Sequence, residues 1–430
     1  MKSLLRDSFT FSLLRNFAIL FFWWCIFFPG FFSTDSFSAV SQAKSGDISD
    51  VGSPSWAIYI RYFSFLGNAI PLLTLISGLV LTYSVTCLAY SLSSKKIAAI
   101  SSFVLVATPI IYAMGITLWR DIPFTAGLIL VVTYFASQFN KSYNFPNPFW
   151  FLLVPGSVLV TFRPNGLPTL IFFSFLYFFC HRKRKTLEDL AYAIAIASVI
   201  TFGFSYIFFH QPPINNLFAQ EFMRSDVSCY ASLDKGIGFV EEKLPGISDT
   251  QGWSSPEACT FISRSYLTLG DKMAAEERLP RVWLQLILED PKFVFETHLR
   301  RNAYLIPLPL FGIPVEPFIH SNIEFKDRGI TWAFPQIAEE ARVFPRAWNA
   351  GRAVFGWAGL WFVVMMVLVR PRSRTKMMPL IVMSFSLLTL LFITAPIPDG
   401  RYALFVLIAG QLTLLNKSVD FINSSIARSS

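Results

Sequence analysis

Charge is scarce in this chain. Of its 430 residues, 15% are Asp, Glu, Lys or Arg, while 53% are hydrophobic and 17% aromatic. With a mean hydropathy of +0.50, so apolar a chain of this length cannot be covered by polar surface in water, which excludes an ordinary soluble protein and makes lipid the solvent for much of it. Histidine and cysteine are also few, four and five residues, and their spacings match no metal site, so no metal ligands are assigned and a divalent metal stays open. No cofactor signature is found. No internal repeat is visible, and no charge falls at mid-depth in a long apolar run, two absences that count against a transporter. The net charge of +9 does not point to nucleic acid, because the Lys and Arg residues gather at the ends of apolar runs, where they act as topology signals.

What the sequence does hold is a series of such runs near the 20 residues of helix that cross a hydrocarbon core. They are Phe17 to Phe32, Asn68 to Leu92, Ile97 to Ile116, Ile122 to Gln138, Phe149 to Phe162, Pro164 to Cys180 and Leu187 to Phe209. After a long hydrophilic stretch come Ala353 to Val369, Met377 to Ala395 and Ala403 to Leu415. The expectation is an all-α polytopic membrane protein with ten transmembrane helices, divided into 1–209, 210–352 and 353–430. For the first run a cleaved signal peptide is the competing reading, with Ser36-Phe-Ser-Ala resembling a cleavage site; the Pro29-Gly30 ending that leads into a distinctive loop favours a retained helix.

Basic clusters fall on alternate connectors: Lys95-Lys96, Lys141, His181 to Lys185, Arg370 to Lys376 and Lys417, together with the N-terminal basic residues. The positive-inside rule makes that face cytoplasmic, with both termini on it and the inner membrane as the expected location. The opposite face receives residues 33–67, the corners at 119–121 and 163, the 210–352 segment and the 398–401 loop. The 210–352 segment mixes both signs of charge with amphipathic runs, so it reads as a small, mainly helical extracytoplasmic domain with helices meeting at Pro291. Cys229 and Cys259 both lie in it and are candidates for one disulfide in an oxidising compartment.

Four short sites converge on that outer face: Ser33-Thr34-Asp35-Ser36, Trp119-Arg120-Asp121-Ile122-Pro123, Arg163-Pro164-Asn165-Gly166 and Asp399-Gly400-Arg401-Tyr402. Carboxylates and guanidiniums at one depth are the inventory for moving a group from a lipid phosphate carrier to an alcohol. A carboxylate takes the proton of the attacking hydroxyl, and a fixed Arg holds the phosphate and the charge that builds on it. Structural readings compete at each point: Asp35 as a helix cap, Arg120 and Asp121 as a helix start, Arg163 as a snorkelling turn residue, Asp399-Gly400 as a plain turn and Arg401 as an interfacial anchor. The histidines His210, His298 and His320 read as structural or exposed, and Trp253, Trp283 and Trp332 as packing or anchoring residues.

The order Pro29-Gly30 with Asp35, Trp119-Arg120-Asp121-Ile-Pro, Arg163-Pro-Asn-Gly166, Trp283 to Pro291 and Asp399-Gly-Arg-Tyr402 resembles the bacterial membrane glycosyltransferases of the GT-C superfamily. Relatives in that superfamily include the protein O-mannosyltransferases and the lipid A aminoarabinose transferase. The resemblance covers most of the first seven apolar runs and scattered points beyond. It implies a polyprenyl-phosphate-linked sugar as donor, a glycan, lipid or protein acceptor, and displacement with inversion. It also implies catalytic roles for Asp35 and Asp121. Arg120, Arg163 and Arg401 then hold the phosphate or orient the carboxylates, with Asn165, Asp399 and Tyr402 in support. Many members carry paired acids in the first loop, whereas Asp35 is flanked by Thr34 and Ser36. The alternatives are an O-antigen polymerase or ligase using a diphosphate-linked glycan, a transporter or flippase, and a noncatalytic envelope subunit.

Overall fold

A computed structural model describes residues 9–45, 54–64, 70–139, 143–209, 217–231, 233–243, 278–302, 305, 331–369, 374–395 and 400–429. Among them all regular structure is helical, apart from one isolated parallel bridge between Phe31 and Thr117. The chain begins with α1 (Phe9–Ile26), α2 (Thr34–Ser45), α3 (Pro54–Ser64) and α4 (Ile70–Leu92). Next come α5 (Lys95–Val106), α6 (Pro109–Gly115), α7 (Asp121–Ser137), α8 (Val154–Leu159), α9 (Gly166–His181) and α10 (Arg184–Phe209). The long hydrophilic stretch supplies α11 (Leu217–Ala231), α12 (Asp234–Lys243), α13 (Leu279–Glu289), α14 (Pro291–Arg301), α15 (Pro335–Ala341), α16 (Val343–Ala350) and α17 (Arg352–Phe355). The chain ends with α18 (Ala358–Leu368), α19 (Arg374–Thr394) and α20 (Leu404–Ser429).

Among the described residues five helices are long and apolar enough to cross a membrane, within α1, α4, α10, α19 and α20; a sixth span counts if α5 and α6 form one. The chain is therefore an all-α, multi-pass membrane protein. The other four expected runs coincide with apolar helices of 10–17 residues, so all ten runs contain helix, the first of them shifted to Phe9–Ile26, but length and composition alone qualify five or six as spans. The run from Ile97 to Ile116, expected as one helix, is bent by 59°. Thr108 is extended because Pro109 follows it, and Pro109 opens α6 at a position where its missing N–H costs nothing.

The shortness of α7 is explained by its place. In α7, 16 of 17 residues are buried, apolar on every side, as befits a helix wrapped by protein rather than lipid. Its contact with α8 runs through Gly127 and Gly156: a Cβ on Gly127 would stand 2.7 Å from the Val160 amide nitrogen, and one on Gly156 2.9 Å from the Val131 side chain. On the other flank α1 is fastened by polar contacts. Asn16 donates to Thr86 Oγ1 at 3.0 Å and Ser102 Oγ at 3.2 Å, and Ser12 shares a 2.8 Å hydrogen bond with Tyr90. In hydrocarbon, where apolar contact with a neighbouring helix gains little over lipid, such bonds give α1 one register on α4 and α5.

The loop after α1 folds as α2 and α3, whose Ala43, Trp56 and Ile60 form a small apolar cluster with Phe32, Leu118 and Phe162. These two helices roof one end of the bundle. The 210–352 segment divides. Helices α11 to α14 share a small core of their own around Val227, Val282 and Leu286, whereas the stretch from 331 joins the main bundle. Its Ala333 amide donates to the Phe28 carbonyl at 3.0 Å, and the Trp332 ring packs against Phe27 and Phe31. The break expected at Pro291 is present between α13 and α14, where the Asp290 carboxylate accepts from the Phe293 amide at 3.0 Å as a helix cap.

Candidate active site

The loop after α1 and the loop before α7 are laced together by backbone. The Phe31 amide donates to the Ile116 carbonyl at 3.1 Å and the Leu118 amide to the Phe31 carbonyl at 3.0 Å. Gly30 makes this approach possible. Its φ of +113° suits glycine alone, and a Cβ there would lie 2.6 Å from the Ile116 oxygen. Beyond the bridge, Ser33 and Ser36 cap each other: the Ser33 amide donates to Ser36 Oγ at 3.0 Å and the Ser36 amide to Ser33 Oγ at 3.3 Å. The Ser36 hydroxyl then donates to the Leu118 carbonyl at 2.7 Å, and Trp119 Nε1 donates to Ser33 Oγ at 2.6 Å. Serines therefore close the first turn of α2, and the Asp35 carboxylate does not act as the cap.

Asp35 is instead half of an ion pair. Its Oδ2 lies 2.8 Å from Arg401 Nη2, with 60% of the Asp35 side chain exposed and 11% of that of Arg401. The Arg401 charge, and after it those of Arg120 and Arg163, hold the Asp35 carboxyl below its ordinary range against the opposing effect of desolvation. The Arg401 guanidinium also sits 5.1 Å from the Trp119 ring centre and 5.5 Å from that of Tyr402. Arg401 is thus no free interfacial anchor.

The second pair lies deeper. Arg163 Nη1 is 2.6 Å from Asp121 Oδ1, with side-chain exposures of 1% and 5%. The contact is an ion pair without hydrogen-bond alignment, and the Arg163 Nε likewise has no hydrogen-bond partner. The chain around Arg163 tightens into a 3₁₀ turn, Val160–Phe162, before Arg163 itself turns extended, so this guanidinium faces the bundle and does not snorkel to headgroups. Its carbon stands 4.2 Å from the Tyr402 ring centre. One ring thereby lies beside both guanidiniums, and the two pairs fall within about one Debye length of each other, roughly 10 Å at 0.1 M salt. Asp121 opens α7 with Pro123 in its first turn, so it serves the helix dipole and the pair at once. Arg120, half-buried, lies beside them. Burial first, then the Arg163 charge, lowers its pKa, while Asp121 and Asp35 oppose the shift.

Asn165 caps α9 with its backbone while its side-chain oxygen is buried without a hydrogen-bond partner. Asp399 lies outside the described residues. Sequence reasoning thus located both acids and all three arginines that the fold brings together, and it assigned no role to Ser33, Ser36 or the Trp119 indole. The only signal for them was their place inside the quoted motifs. Among the described residues no group of His, Cys, Asp and Glu side chains is arranged to hold a metal ion.

A second buried cluster ties helices α11 to α14 to the bundle. Asp226 on α11 accepts from Trp283 Nε1 at 2.8 Å, pairs with Arg301, and lies 2.7 Å from His298 Nε2. The other His298 ring nitrogen is 2.9 Å from the Phe392 carbonyl on α19, to which Asn302 also donates at 3.0 Å. Burial alone would raise the Asp226 pKa, but Arg301 and His298 hold it low. His298 and Trp283 are structural here. Cys229 is disulfide-bonded, Cys25, Cys87 and Cys180 are free, and Cys259, His210, His320 and Trp253 lie outside the described residues.

No protein-family model matches the chain, and neither a curated protein nor a solved structure does so. Fold and site define a multi-pass helical membrane protein with two carboxylates and three arginines gathered at one end of its bundle.

Proposed function

We propose that the protein is an inverting glycosyltransferase that moves a sugar from a polyprenyl-phosphate carrier to a cell-envelope acceptor. In this reading the chain crosses the cytoplasmic membrane ten times, with both termini inside and the acid–arginine cluster at the outer leaflet. The observation that carries it is the charge balance of the cluster, in which Arg120, Arg163 and Arg401 surround Asp35 and Asp121. The described groups hold one more cation than anion in a place that is buried at Asp121 and Arg163 and open at Asp35, which suits a phosphodiester bearing one negative charge. The GT-C resemblance of the same motifs supports this donor class.

Chemistry follows from the pairs. The acceptor hydroxyl attacks the anomeric carbon, the bond from that carbon to the phosphate oxygen breaks, and its electron pair leaves with the phosphate. The arginines meet the charge that builds there, while Asp35 receives the hydroxyl proton. A carboxylate of depressed pKa is a weak base, so transfer to Asp35 comes late, when the attacking oxygen has become acidic. Arg401 acts as a positioning residue, keeping that carboxylate ionised and aimed.

The test uses purified protein in nanodiscs with a synthetic lipid-phosphate sugar. Asp35→Asn is expected to lower transfer by about 10²- to 10⁴-fold, and equal rates in the two proteins would remove Asp35 from the mechanism. Preference for a diphosphate-linked donor would instead favour the polymerase or ligase reading. Substrate flux into sealed vesicles with no covalent product would favour transport.

A further inference from the structure

A recess of about 280 Å³ opens at the other end of the bundle, between the end of α4, the start of α5, the start of α19 and the later turns of α20. Lys417, on its wall, lies thirteen residues along α20 from Leu404, about 20 Å of helix away from the acid–arginine cluster. The recess is therefore separate from the site above, and it does not depend on that site's proposed chemistry.

Its lining is rich in donors. Lys376 and Lys417 come from different helices, both are half-buried, and neither forms an ion pair among the described residues. Asp420 lines the same recess without forming a salt bridge to either lysine. Half-buried ammonium groups are costly without a counter-charge, and here two of them share one acid that does not contact them. Asn416 adds a directed donor: its side-chain oxygen is taken by the Ser101 hydroxyl at 2.6 Å, which leaves its NH₂ group for the recess. Ser94 stands at the head of α5 without a side-chain cap bond, so the first-turn amides of that helix stay open. That turn also carries Lys95 and Lys96, the sign of charge a helix N-terminus disfavours unless an anion is close by. Ile97 and Met377 supply an apolar wall.

We propose that this recess binds a phosphate group, carried either by an acidic lipid of that leaflet or by a free phosphate compound. The two lysines neutralise it, the Asn416 amide and the Ser94 turn orient it, and the apolar wall suits a phosphate that bears a carbon chain. Asp420 sets an upper limit on affinity by repelling the anion.

The test uses the full-length protein in two arms. In one, native mass spectrometry counts phosphatidylglycerol retained after extraction from vesicles of phosphatidylcholine and phosphatidylglycerol. In the other, calorimetry follows inorganic phosphate and glycerol phosphate in phosphatidylcholine nanodiscs. Replacing Lys376→Gln and Lys417→Gln together is expected to weaken binding by about tenfold for each lysine removed, and Asp420→Asn to strengthen it. A change confined to the lipid arm identifies a headgroup, and one confined to the second arm a free phosphate. Binding in neither arm, or affinities in the double variant and in Asp420→Asn equal to wild type, would overturn the proposal. Should the double variant not fold, unchanged binding by Asp420→Asn overturns it alone.

Discussion

The deepest ion pair gives a quantitative test of how the cluster is balanced. Asp121 faces Arg163 at 2.6 Å with side-chain exposures of 5% and 1%, so Asp121→Asn strands a buried guanidinium. Removing one member of a buried pair costs about 3–5 kcal/mol, because the remaining charge is left uncompensated. Arg163→Gln leaves Asp121 with the field of Arg120, so its cost falls to about 1–3 kcal/mol, the penalty for an imperfectly satisfied buried group. The double variant removes the pair as a unit, and the two single costs should exceed the double by about 1–3 kcal/mol. Unfolding in mixed micelles at rising SDS fraction, followed by tryptophan fluorescence, measures all three. Arg163→Gln costing as much as Asp121→Asn, or a cycle additive within about 0.5 kcal/mol, would refute this account of the cluster. Transfer activity separates packing from chemistry: the double variant should regain stability without regaining turnover, because the guanidinium proposed to meet the phosphate is gone.

Other outcomes follow from the same contacts. Gly30→Ala forces a left-handed φ on a residue with a Cβ and drives that atom against the Ile116 oxygen, so stability should fall by about 1–3 kcal/mol, with hydrogen exchange rising in 31–36; unchanged exchange would mean that the bridge does not hold the loop. Asp226→Asn breaks the buried cluster with Arg301 and His298, and faster exchange is expected in 217–231 and 291–301 while α7 keeps its protection. Asp35 titrates below the ordinary carboxylate value of about 3.9, so its pairing with Arg401 is fully present above that pH and is lost only as pH falls through the depressed value. In Arg401→Gln the midpoint, read by carbon NMR of labelled aspartate, should climb toward the ordinary value; a midpoint that stays put would mean that Arg401 is not its cause.

Much of the fold was readable because lipid demands unbroken apolar runs, and each of the ten runs contains apolar helix, although the first helix ends at Ile26 rather than at Phe32. The pairing of Asp35 with an arginine 366 positions away was anticipated only as a convergence on one face, since depth is visible in sequence but partners are not. What escaped reading depends on tertiary approach. The Trp119 bond to Ser33 spans 86 positions and the Asp226 pair with Arg301 spans 75, and no local periodicity encodes either. The bend between α5 and α6 was announced by Pro109, yet hydropathy ran straight through it. Arg163 illustrates the reverse case: an arginine beside Pro164 looked compatible with a surface turn, and only the surrounding bundle shows it enclosed.

Tyr402 is a neighbour that the two cationic side chains share. A change at this one ring, such as Tyr402→Leu, therefore takes a cation–π contact from the deep pair and from the shallow pair together.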